Sequence, residues 1–355
     1  MRTTVLFVII GAGLGHLTRG LAIATQITKL NENCNIIFFT TNENANVIGK
    51  FHYQYYYLPN RSLLSKTMKA PAYNAYMKEI LIGIMEKHQP DYFIFDGAFP
   101  YPCIVSSMRE RIPMHNIWIK REGDRQGLDD TAIIAYKKYF DCIIIPEELG
   151  QQEYREFLIK EKLVSPMILI DDNKVLRDGI RHRFSITSKG KVWYVQLGRE
   201  NRDTKSSLLN RIISNILNMD NSYIVLGESI DGPSIEMEHP RILNHKNYPN
   251  SYMFPEIDFA ITTAGYNITH ELAYYKIPAI LVPDLFVVKD DQRARALRIE
   301  GIGGAITLTD YNQLESAIWH LIENELVMKN KLEQYHFTNG AQQAAEIILN
   351  IGENK

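Results

Sequence analysis

The sequence is poor in cysteine, has almost no net charge, and lacks an apolar run near its start that could cross a membrane. Its 355 residues include three cysteines, Cys34, Cys103 and Cys142, and their spacing matches no zinc-binding pattern. We therefore expect reduced core thiols rather than disulfides or metal ligands. The formal net charge is −2, so no broadly basic surface is available for nucleic acid, and we expect no such partner.

The apolar run near the N-terminus, from Val5 to Ile10, is far shorter than the roughly 20 residues of a transmembrane helix. It leads directly into Gly11, which is typical of a buried strand rather than of a secretion signal. The sequence therefore predicts a cytoplasmic protein without a transmembrane segment. A peripheral membrane contact stays open.

What the sequence does contain is strand-length apolar runs alternating with stretches of helical period. The hydrophobic fraction of 45% is ordinary for a globular protein with a sizeable core. The first series of predicted strands is Thr4 to Ile10, Asn35 to Thr40, Tyr92 to Phe95, His115 to Ile119 and Cys142 to Ile145. Such alternation indicates βαβ units and a parallel sheet covered on both faces.

A second series of strand-like runs follows a Pro- and Gly-containing polar stretch between Val164 and Lys189, which we interpret as an interdomain connection. These runs begin at Val192, Tyr223, Arg241, Asp258, Pro278 and Gly303. The predicted fold class is α/β, with two Rossmann-like doubly wound parallel-sheet domains. We expect an N-terminal domain at 1–165, a C-terminal domain at 166–338, and a terminal helix in 339–355 that could return to the N-terminal domain.

The first motif is a glycine-rich turn that joins a strand to a helix. Gly11, Gly13 and Gly15 let the backbone approach a ligand and leave helix N–H groups free for an anion, although a tight turn can need glycine for steric reasons alone. An NAD-binding fingerprint would have a third glycine where His16 stands. His16 is either a general base or hydrogen-bond donor to substrate, or a structural cap. Arg19 is either a ligand contact or a solvated surface charge.

The C-terminal motifs again place small or acidic residues at helix starts. The turn at 262–265 opens a helix whose N–H groups suit a diphosphate. Glu271 is either an acceptor for a ribose diol or an exposed helix residue. Asp290, Asp291 and Gln292 open a further helix, where they would bind hexose hydroxyls or cap the helix.

The combination of GAGLGH near the N-terminus with TTAGYNITHE, IPAILVPD and DDQ near the C-terminus resembles the GT-B glycosyltransferases. The resemblance is to the branch that contains the bacterial peptidoglycan GlcNAc transferase, the glycosyltransferase family 28 group. It implies two domains facing across a cleft, with a nucleotide sugar as donor. It implies an acceptor side at Gly13, Gly15 and His16, and a donor side at Gly265, Tyr266, Asn267, Glu271, Asp291 and Gln292.

Two departures from the family pattern affect the substrates. The loop Gln196–Leu197–Gly198 continues with Arg199 and Glu200 where the peptidoglycan enzyme is richer in glycine and serine. We expect Gly198 and Arg199 to help neutralise the diphosphate. The N-terminal turn also lacks the proline and the long apolar patch expected for a polyprenyl-linked acceptor, so that acceptor is not carried over.

The sequence therefore predicts a hexosyltransferase that moves a hexose or N-acetylhexosamine from a UDP-linked sugar to a hydroxyl of an unidentified acceptor. Its context would be the bacterial cell envelope or secondary metabolism. His16 would be the base, and Asp96 would orient it unless Asp96 only serves the turn before Gly97. Neither a metal ion nor a cofactor is expected, and monomer and homodimer both stay open.

Three alternatives remain at this point. The same architecture occurs in nucleotide-sugar hydrolases and UDP-GlcNAc 2-epimerases, and a non-catalytic nucleotide-sugar-binding subunit would keep the binding residues without the chemistry.

The cluster Tyr55, Tyr56 and Tyr57 would form a strand buried in the core rather than a stacking platform for an acceptor.

Overall fold

The structure is a computed structural model, and it describes most of the chain. The described residues are 2–11, 13–65, 67–109, 113–121, 130–151, 159–170, 179–186, 189–198, 202–228, 230, 235, 237–285, 290–335 and 338–351, without the side chains of 130–133 and 202–205. The predicted contact Arg199 lies outside these ranges.

Thirteen strands and thirteen α-helices follow one another along these residues. The strands are β1 Thr3–Ile9, β2 Cys34–Thr40, β3 Gln54–Tyr57, β4 Tyr92–Asp96, β5 His115–Ile119, β6 Cys142–Pro146, β7 Glu161–Val164, β8 Lys191–Gln196, β9 Ser222–Gly227, β10 Ile242–His245, β11 Phe259–Thr263, β12 Ala279–Val282 and β13 Ala305–Thr307. The helices are α1 Leu14–Leu30, α2 Asn46–Gly49, α3 Arg61–Leu64, α4 Ala70–His88, α5 Pro102–Met108, α6 Asp130–Lys137, α7 Gly179–Arg183, α8 Arg202–Leu217, α9 Tyr266–Tyr274, α10 Gln292–Gly301, α11 Leu314–Glu323, α12 Glu325–Gln334 and α13 Gly340–Ile351.

The chain divides into two compact units. Unit 1 contains Met1–Glu147, Glu153–Leu169 and Thr338–Lys355, and unit 2 contains Glu148–Gln152 and Ile170–Phe337. The main division falls after Leu169 rather than after residue 165, and a short segment that follows β6 belongs to unit 2. Each unit is thus built from segments that are distant in sequence.

Within the described ranges each unit has one sheet, and every strand pair found there is parallel. The strand order is β3-β2-β1-β4-β5-β6-β7 in unit 1 and β10-β9-β8-β11-β12-β13 in unit 2. The order reverses between β1 and β4 in the first sheet, and between β8 and β11 in the second. Such a reversal opens a crevice at the carboxyl ends of the two strands, where ligands of open α/β sheets bind. The predicted fold class of two parallel-sheet α/β domains is confirmed.

The strands form where the sequence has continuous apolar runs, because helices cover a parallel sheet on both faces. Val5 to Ile9 of β1 and Phe93 to Phe95 of β4 are fully buried. All the predicted strands are present. The two additional strands, β3 and β7, lie at opposite edges of the unit 1 sheet. Tyr55 and Tyr57 of β3 are exposed, so the expectation that this tyrosine cluster is core is wrong for these two residues, because an edge strand has one uncovered side.

Helix α13 packs against α1 and β7 in unit 1. The side chain of Gln343 accepts a hydrogen bond from the Ser165 N–H at 2.7 Å. A Cβ at Gly340 would lie 1.7 Å from the Ser165 carbonyl oxygen, so only glycine allows this approach of helix to backbone.

All three cysteines are buried and unpaired, which confirms that they are core thiols. Burial raises the pKa of each thiol, to about 11. Among the described residues, no helix is both long and apolar enough to cross a bilayer.

Candidate functional site

The glycine turn of unit 1 leads from β1 into α1. Gly13 is the N-cap residue of α1 and no side chain caps the helix there. A Cβ at Gly13 or Gly15 would meet no atom within 4 Å, so the backbone of this turn borders open space. The first turn of α1 can therefore present its N–H groups to a ligand.

The side chain of Asn42, which follows β2, contacts the backbone of this turn. Its amide donates to the Gly13 carbonyl at 2.9 Å and lies 3.4 Å from the Gly11 carbonyl. The residue is fully buried. Sequence reasoning missed Asn42, and the available signal was its position just after the strand that neighbours β1.

His16 lies above the Gly11 backbone and contacts the end of β4. A Cβ at Gly11 would lie 3.1 Å from His16 Cδ2, so the bare backbone makes room for the imidazole. His16 Nδ1 lies 2.7 Å from Asp96 Oδ1, and 32% of the His16 side chain is exposed. The ring is thus anchored at one nitrogen and accessible to a substrate.

Asp96 is the last residue of β4 and pairs with Ile9 in the sheet register. Its carboxylate is fully buried and binds Arg19, whose Nε donates to Oδ2 at 2.8 Å and whose Nη2 donates to Oδ1. Arg19 is itself only 3% exposed. The interpretation of Arg19 as a solvated surface charge is wrong, because an uncompensated buried carboxylate would cost several kcal/mol.

An ionised Asp96 carboxylate can accept a hydrogen bond but cannot donate one, so the proton between Asp96 and the imidazole belongs to the imidazole. Burial alone would raise the pKa of Asp96, but Arg19 and the hydrogen bond from His16 outweigh it and lower the pKa. We assign the proton of this contact to Nδ1 of His16, although Arg19 Nη2 also lies 3.0 Å from Nδ1, and this tautomer leaves Nε2 as the acceptor. This is the arrangement that a histidine base requires.

In unit 2, the turn between β11 and α9 corresponds to the predicted diphosphate site. Gly265 is the N-cap residue of α9, and no side chain caps the helix. Asn267 is half-buried, and its side chain makes no hydrogen bond within the described part of the chain. Tyr266 is buried, with its ring 4.3 Å from that of His270. The phenol thus belongs to the support of the turn, and the helix start itself is what a phosphate could approach.

Arg295 supports this turn from α10. It donates to the Ala264 carbonyl at 2.8 Å and forms a two-bond ion pair with Glu148, at 2.6 and 2.8 Å. It also donates to Asp290 at 2.7 Å. Arg295 is 1% exposed, and the acidic partners raise its pKa against the opposing effect of burial. Sequence reasoning missed this cluster, because Glu148 lies far from Arg295 along the chain.

His270 is a second buried support. Its Nδ1 donates to the Tyr266 carbonyl at 2.7 Å, and its Nε2 accepts from the Leu149 N–H at 3.0 Å. Both ring nitrogens of the neutral imidazole are thereby satisfied. His270 joins the segment after β6 to α9, a structural role.

Glu271 is buried on α9 near the carboxyl end of β8. Desolvation raises its pKa to about 8. No hydrogen bond to its carboxyl group is found among the described residues, and the buried Tyr194 phenol lies close enough to feel its charge. The interpretation of Glu271 as an exposed helix residue is wrong. A buried acid without a partner is typical of a binding position.

Gly198 ends the turn after β8 with a φ of 67°, which favours glycine. Nearby, the Tyr194 hydroxyl donates to Gln196 Oε1 at 2.9 Å and accepts from the Asn250 amide at 2.9 Å. These contacts fix the carboxyl end of β8 beside Thr262 of β11, which pairs with Gln196. Hydrogen bonds thus hold the polar side chains at this end of β8.

The acidic block before α10 is used in the fold. Asp290 is paired with Arg295 as described, and Asp291 caps α10 by accepting from the Ala294 N–H at 3.0 Å. Gln292 Oε1 accepts from the Asp284 N–H at 3.0 Å, which ties the loop after β12 to α10. The predicted contacts of Asp291 and Gln292 with the donor sugar stay predictions.

Metal ligands do not cluster in the described parts of the chain: no three His, Cys, Asp or Glu side chains converge on one point there. Metal independence stays a prediction.

Comparisons with known proteins identify the group to which these features belong. Residues 246–348 match the glycosyltransferase family 28 C-terminal domain. A UDP-N-acetylglucosamine–N-acetylmuramyl-(pentapeptide) pyrophosphoryl-undecaprenol N-acetylglucosamine transferase from Acetivibrio thermocellus is 22% identical, with 97% of both chains covered.

Solved structures agree on the fold. Acinetobacter baumannii MurG has a TM-score of 0.64 at 15% identity, with 98% of this chain and 99% of that chain covered. The calicheamicin glycosyltransferase CalG4 has a TM-score of 0.66 at 14% identity, with 100% and 99% covered. Residues 246–348 are thus similar to the C-terminal domain of glycosyltransferase family 28, and the protein is a glycosyltransferase of the GT-B fold that resembles the peptidoglycan GlcNAc transferases.

Proposed function

We propose that this glycosyltransferase moves a hexose or N-acetylhexosamine from a UDP-linked donor to a hydroxyl of its acceptor, with His16 as the base and without a metal ion. The observation that carries the proposal is the contact between His16 and the buried Asp96 at the carboxyl ends of β1 and β4. A base is the group that acceptor activation needs, and this crevice is where open α/β sheets bind ligands.

The chemical step follows from the state of the imidazole. His16 Nε2 takes the proton of the acceptor hydroxyl as the acceptor oxygen bonds to the anomeric carbon of the donor. The bond from that carbon to the diphosphate breaks, and UDP leaves with the electron pair. Asp96 stabilises the imidazolium that forms, because its negative charge already lies against Nδ1.

The leaving diphosphate is assigned to the start of α9. The uncapped N–H groups after Gly265 and the positive end of the helix dipole stabilise negative charge as it grows. Gly198 allows the neighbouring turn after β8, and Arg199 is the proposed cation. Glu271 accepts from the ribose hydroxyls.

Support for the donor comes from the relative in Acetivibrio thermocellus, whose name specifies UDP-N-acetylglucosamine. UDP-N-acetylglucosamine is therefore the first donor to test, followed by UDP-glucose. The acceptor of that relative is not carried over. Cytoplasmic location, oligomeric state and peripheral membrane contact stay predictions.

The test is a UDP-release assay over a panel of hydroxyl acceptors, with and without EDTA. We expect acceptor-dependent UDP release that EDTA leaves unchanged. His16→Ala should lower turnover by about 10²- to 10⁴-fold, which is the usual contribution of a general base, while calorimetry shows that the donor still binds. His52→Ala is the matched control, because His52 lies in the turn between α2 and β3 of the same unit.

Three outcomes would contradict the proposal. Turnover by His16→Ala at the wild-type rate would remove the base. Release of free sugar or of a 2-epimer without any acceptor would favour the hydrolase or epimerase alternative, and donor binding without turnover would favour the non-catalytic subunit.

A further inference from the structure

Unit 2 also has a pocket at the amino ends of its strands. The proposed donor turns lie at the opposite, carboxyl ends. Lys191, Ser222 and Phe259 are the first residues of β8, β9 and β11, and all three line this pocket of about 420 Å³. The donor turns at Gly198 and Gly265 instead follow the carboxyl ends of β8 and β11. The volume falls in the range of small-molecule sites, and the proposed transfer reaction does not use the pocket.

One exposed tryptophan and one buried tryptophan line the pocket. Trp319 on α11 lines it and is 52% exposed, which is unusual for so large a side chain. Trp193 on β8 also lines it but is 1% exposed. The Trp193 ring lies against that of Phe259, with centroids 4.6 Å apart. The pocket therefore combines an accessible aromatic face with a buried aromatic base.

The Trp193 indole carries an unused donor. Its Nε1 is buried and has no acceptor among the described residues. A buried N–H without a partner destabilises the folded state, so a ligand oxygen that accepted this hydrogen bond would remove that cost. Trp193 lines the pocket, so an acceptor on a ligand would have to reach the floor of the pocket to take this hydrogen bond.

The rim of the pocket is polar and acidic. Asn218, Asp220 and Glu315 are exposed lining residues, and no hydrogen bond or ion pair of their side chains is found within the described ranges. Lys191 is the lining cation, and it is held by Glu325 at 2.7 Å. The free charges at the rim are therefore negative and disfavour phosphates and other anions.

The wall that carries Asn218 and Asp220 is held in place by Arg241. Its guanidinium donates to the Met219 carbonyl at 2.9 Å and to the Leu217 carbonyl. These bonds satisfy carbonyls at the end of α8 that have no partner in the helix. The polar rim is thus preorganised, which lowers the entropy cost of binding a ligand.

We infer that this pocket binds a pyranose unit of a neutral or amino sugar. A pyranose has an apolar C–H face that can cover Trp319 and an edge of hydroxyls that can donate to Asp220 and Glu315. Its oxygens can also accept from Asn218 and from the Trp193 indole. A purely apolar ligand would leave these polar groups unpaired, and an anion would meet the two carboxylates. The site would hold a saccharide outside the transfer reaction.

The experiment uses the full-length protein labelled with 5-fluorotryptophan. The chain has three tryptophans, and Trp118 is buried in unit 1, so each ¹⁹F resonance, assigned by Trp→Phe variants, reports on its own location. Glucose, glucosamine and N-acetylglucosamine are titrated with UDP present to occupy the donor site, and inorganic phosphate serves as the anion control.

We expect the Trp319 and Trp193 resonances to shift with one saturating curve for at least one sugar, while the Trp118 resonance stays fixed. Trp319→Ala, read on the Trp193 resonance, should weaken binding about tenfold, the equivalent of losing one aromatic contact. Leu326→Ala is the matched control, because Leu326 is exposed on α12 but does not line the pocket.

Three results would overturn the inference. The Trp193 and Trp319 resonances could stay fixed for every sugar, the Trp193 resonance could titrate with the same affinity in Trp319→Ala as in the wild type, or the two resonances could respond to phosphate but not to sugars. Failure of the transfer assay would not affect these ¹⁹F readouts, since the pocket and the proposed donor site lie at opposite ends of the unit 2 strands.

Discussion

The binding of a UDP-sugar should depend on pH through Glu271. The pKa of this buried acid is raised to about 8, so the free protein is largely protonated there at neutral pH. Two ribose hydroxyls can both donate to a carboxylate, whereas a protonated acid retains an O–H that competes with them. Binding should therefore require the ionised form and release a proton.

The magnitude follows from the pKa. With a value of about 8, about 1% of the free protein carries the carboxylate at pH 6, about 10% at pH 7 and about half at pH 8. The affinity should rise nearly tenfold from pH 6 to 7 and about fivefold more from pH 7 to 8, with about 0.9 protons released at pH 7. The same raised pKa means that the folded chain binds more protons than the unfolded chain between about pH 4.5 and 8, so stability falls as the pH rises through that window.

The assay is calorimetric titration with UDP-N-acetylglucosamine in two buffers of different ionisation enthalpy. This ligand is preferred to UDP because both of its phosphates are esterified and do not titrate near neutral pH. Glu271→Gln should bind more weakly with no proton release, and Glu323→Gln, the same change at an exposed position of unit 2, should behave as wild type. An affinity that is constant from pH 6 to 8, with no buffer dependence, would refute the assignment of Glu271 to the ribose.

Two further predictions concern unit 1. Arg19→Met leaves the buried Asp96 carboxylate without its guanidinium partner, so unit 1 should lose about 3–5 kcal/mol of stability. An unchanged melting temperature would count against this pairing. Gly340→Ala should destabilise unit 1 by about 1–3 kcal/mol or more, because the new Cβ meets a backbone carbonyl. Gly83→Ala, on α4 with open space around it, should stabilise it by up to about 1 kcal/mol. Thermal unfolding measures both, and equal shifts would contradict the packing argument.

The parallel strands were predictable because burial on both faces makes each of them a continuous apolar run. The edge strands were not. In β7, the two central residues of Glu161–Val164 are exposed and the two end residues are buried, a pattern without the apolar signal of a covered strand. In β3 the exposed tyrosines look like core residues in the sequence, because the sequence does not show which strand ends the sheet.

The glycine turns, His16 and Glu271 were identified because each depends on local order of strand, turn and helix. The network around His16 needed tertiary information. His16 and Arg19 are three residues apart on one face of α1, which was a usable signal, but the partner Asp96 is adjacent only because β1 and β4 are neighbours.

The acidic block before α10 shows the opposite case. A run of Asp290, Asp291 and Gln292 suggests ligand binding, yet an ion pair, a helix cap and a loop contact account for much of its hydrogen bonding. The ion pair was invisible because Arg295 sits within α10 and its second partner, Glu148, comes from the distant segment after β6.

The ion pair between Glu148 and Arg295 has a practical consequence for expressing unit 2 on its own. A gene fragment that starts at residue 166 would encode nearly all of unit 2 but omit Glu148 and Leu149. Arg295 would keep its ion pair with Asp290 but lose the one with Glu148. The His270 Nε2 would lose the hydrogen bond that it accepts from the Leu149 N–H. Expressing unit 2 alone therefore requires grafting the segment Glu148–Gln152 back. Without it, the turn between β11 and α9 loses two of the contacts that support it.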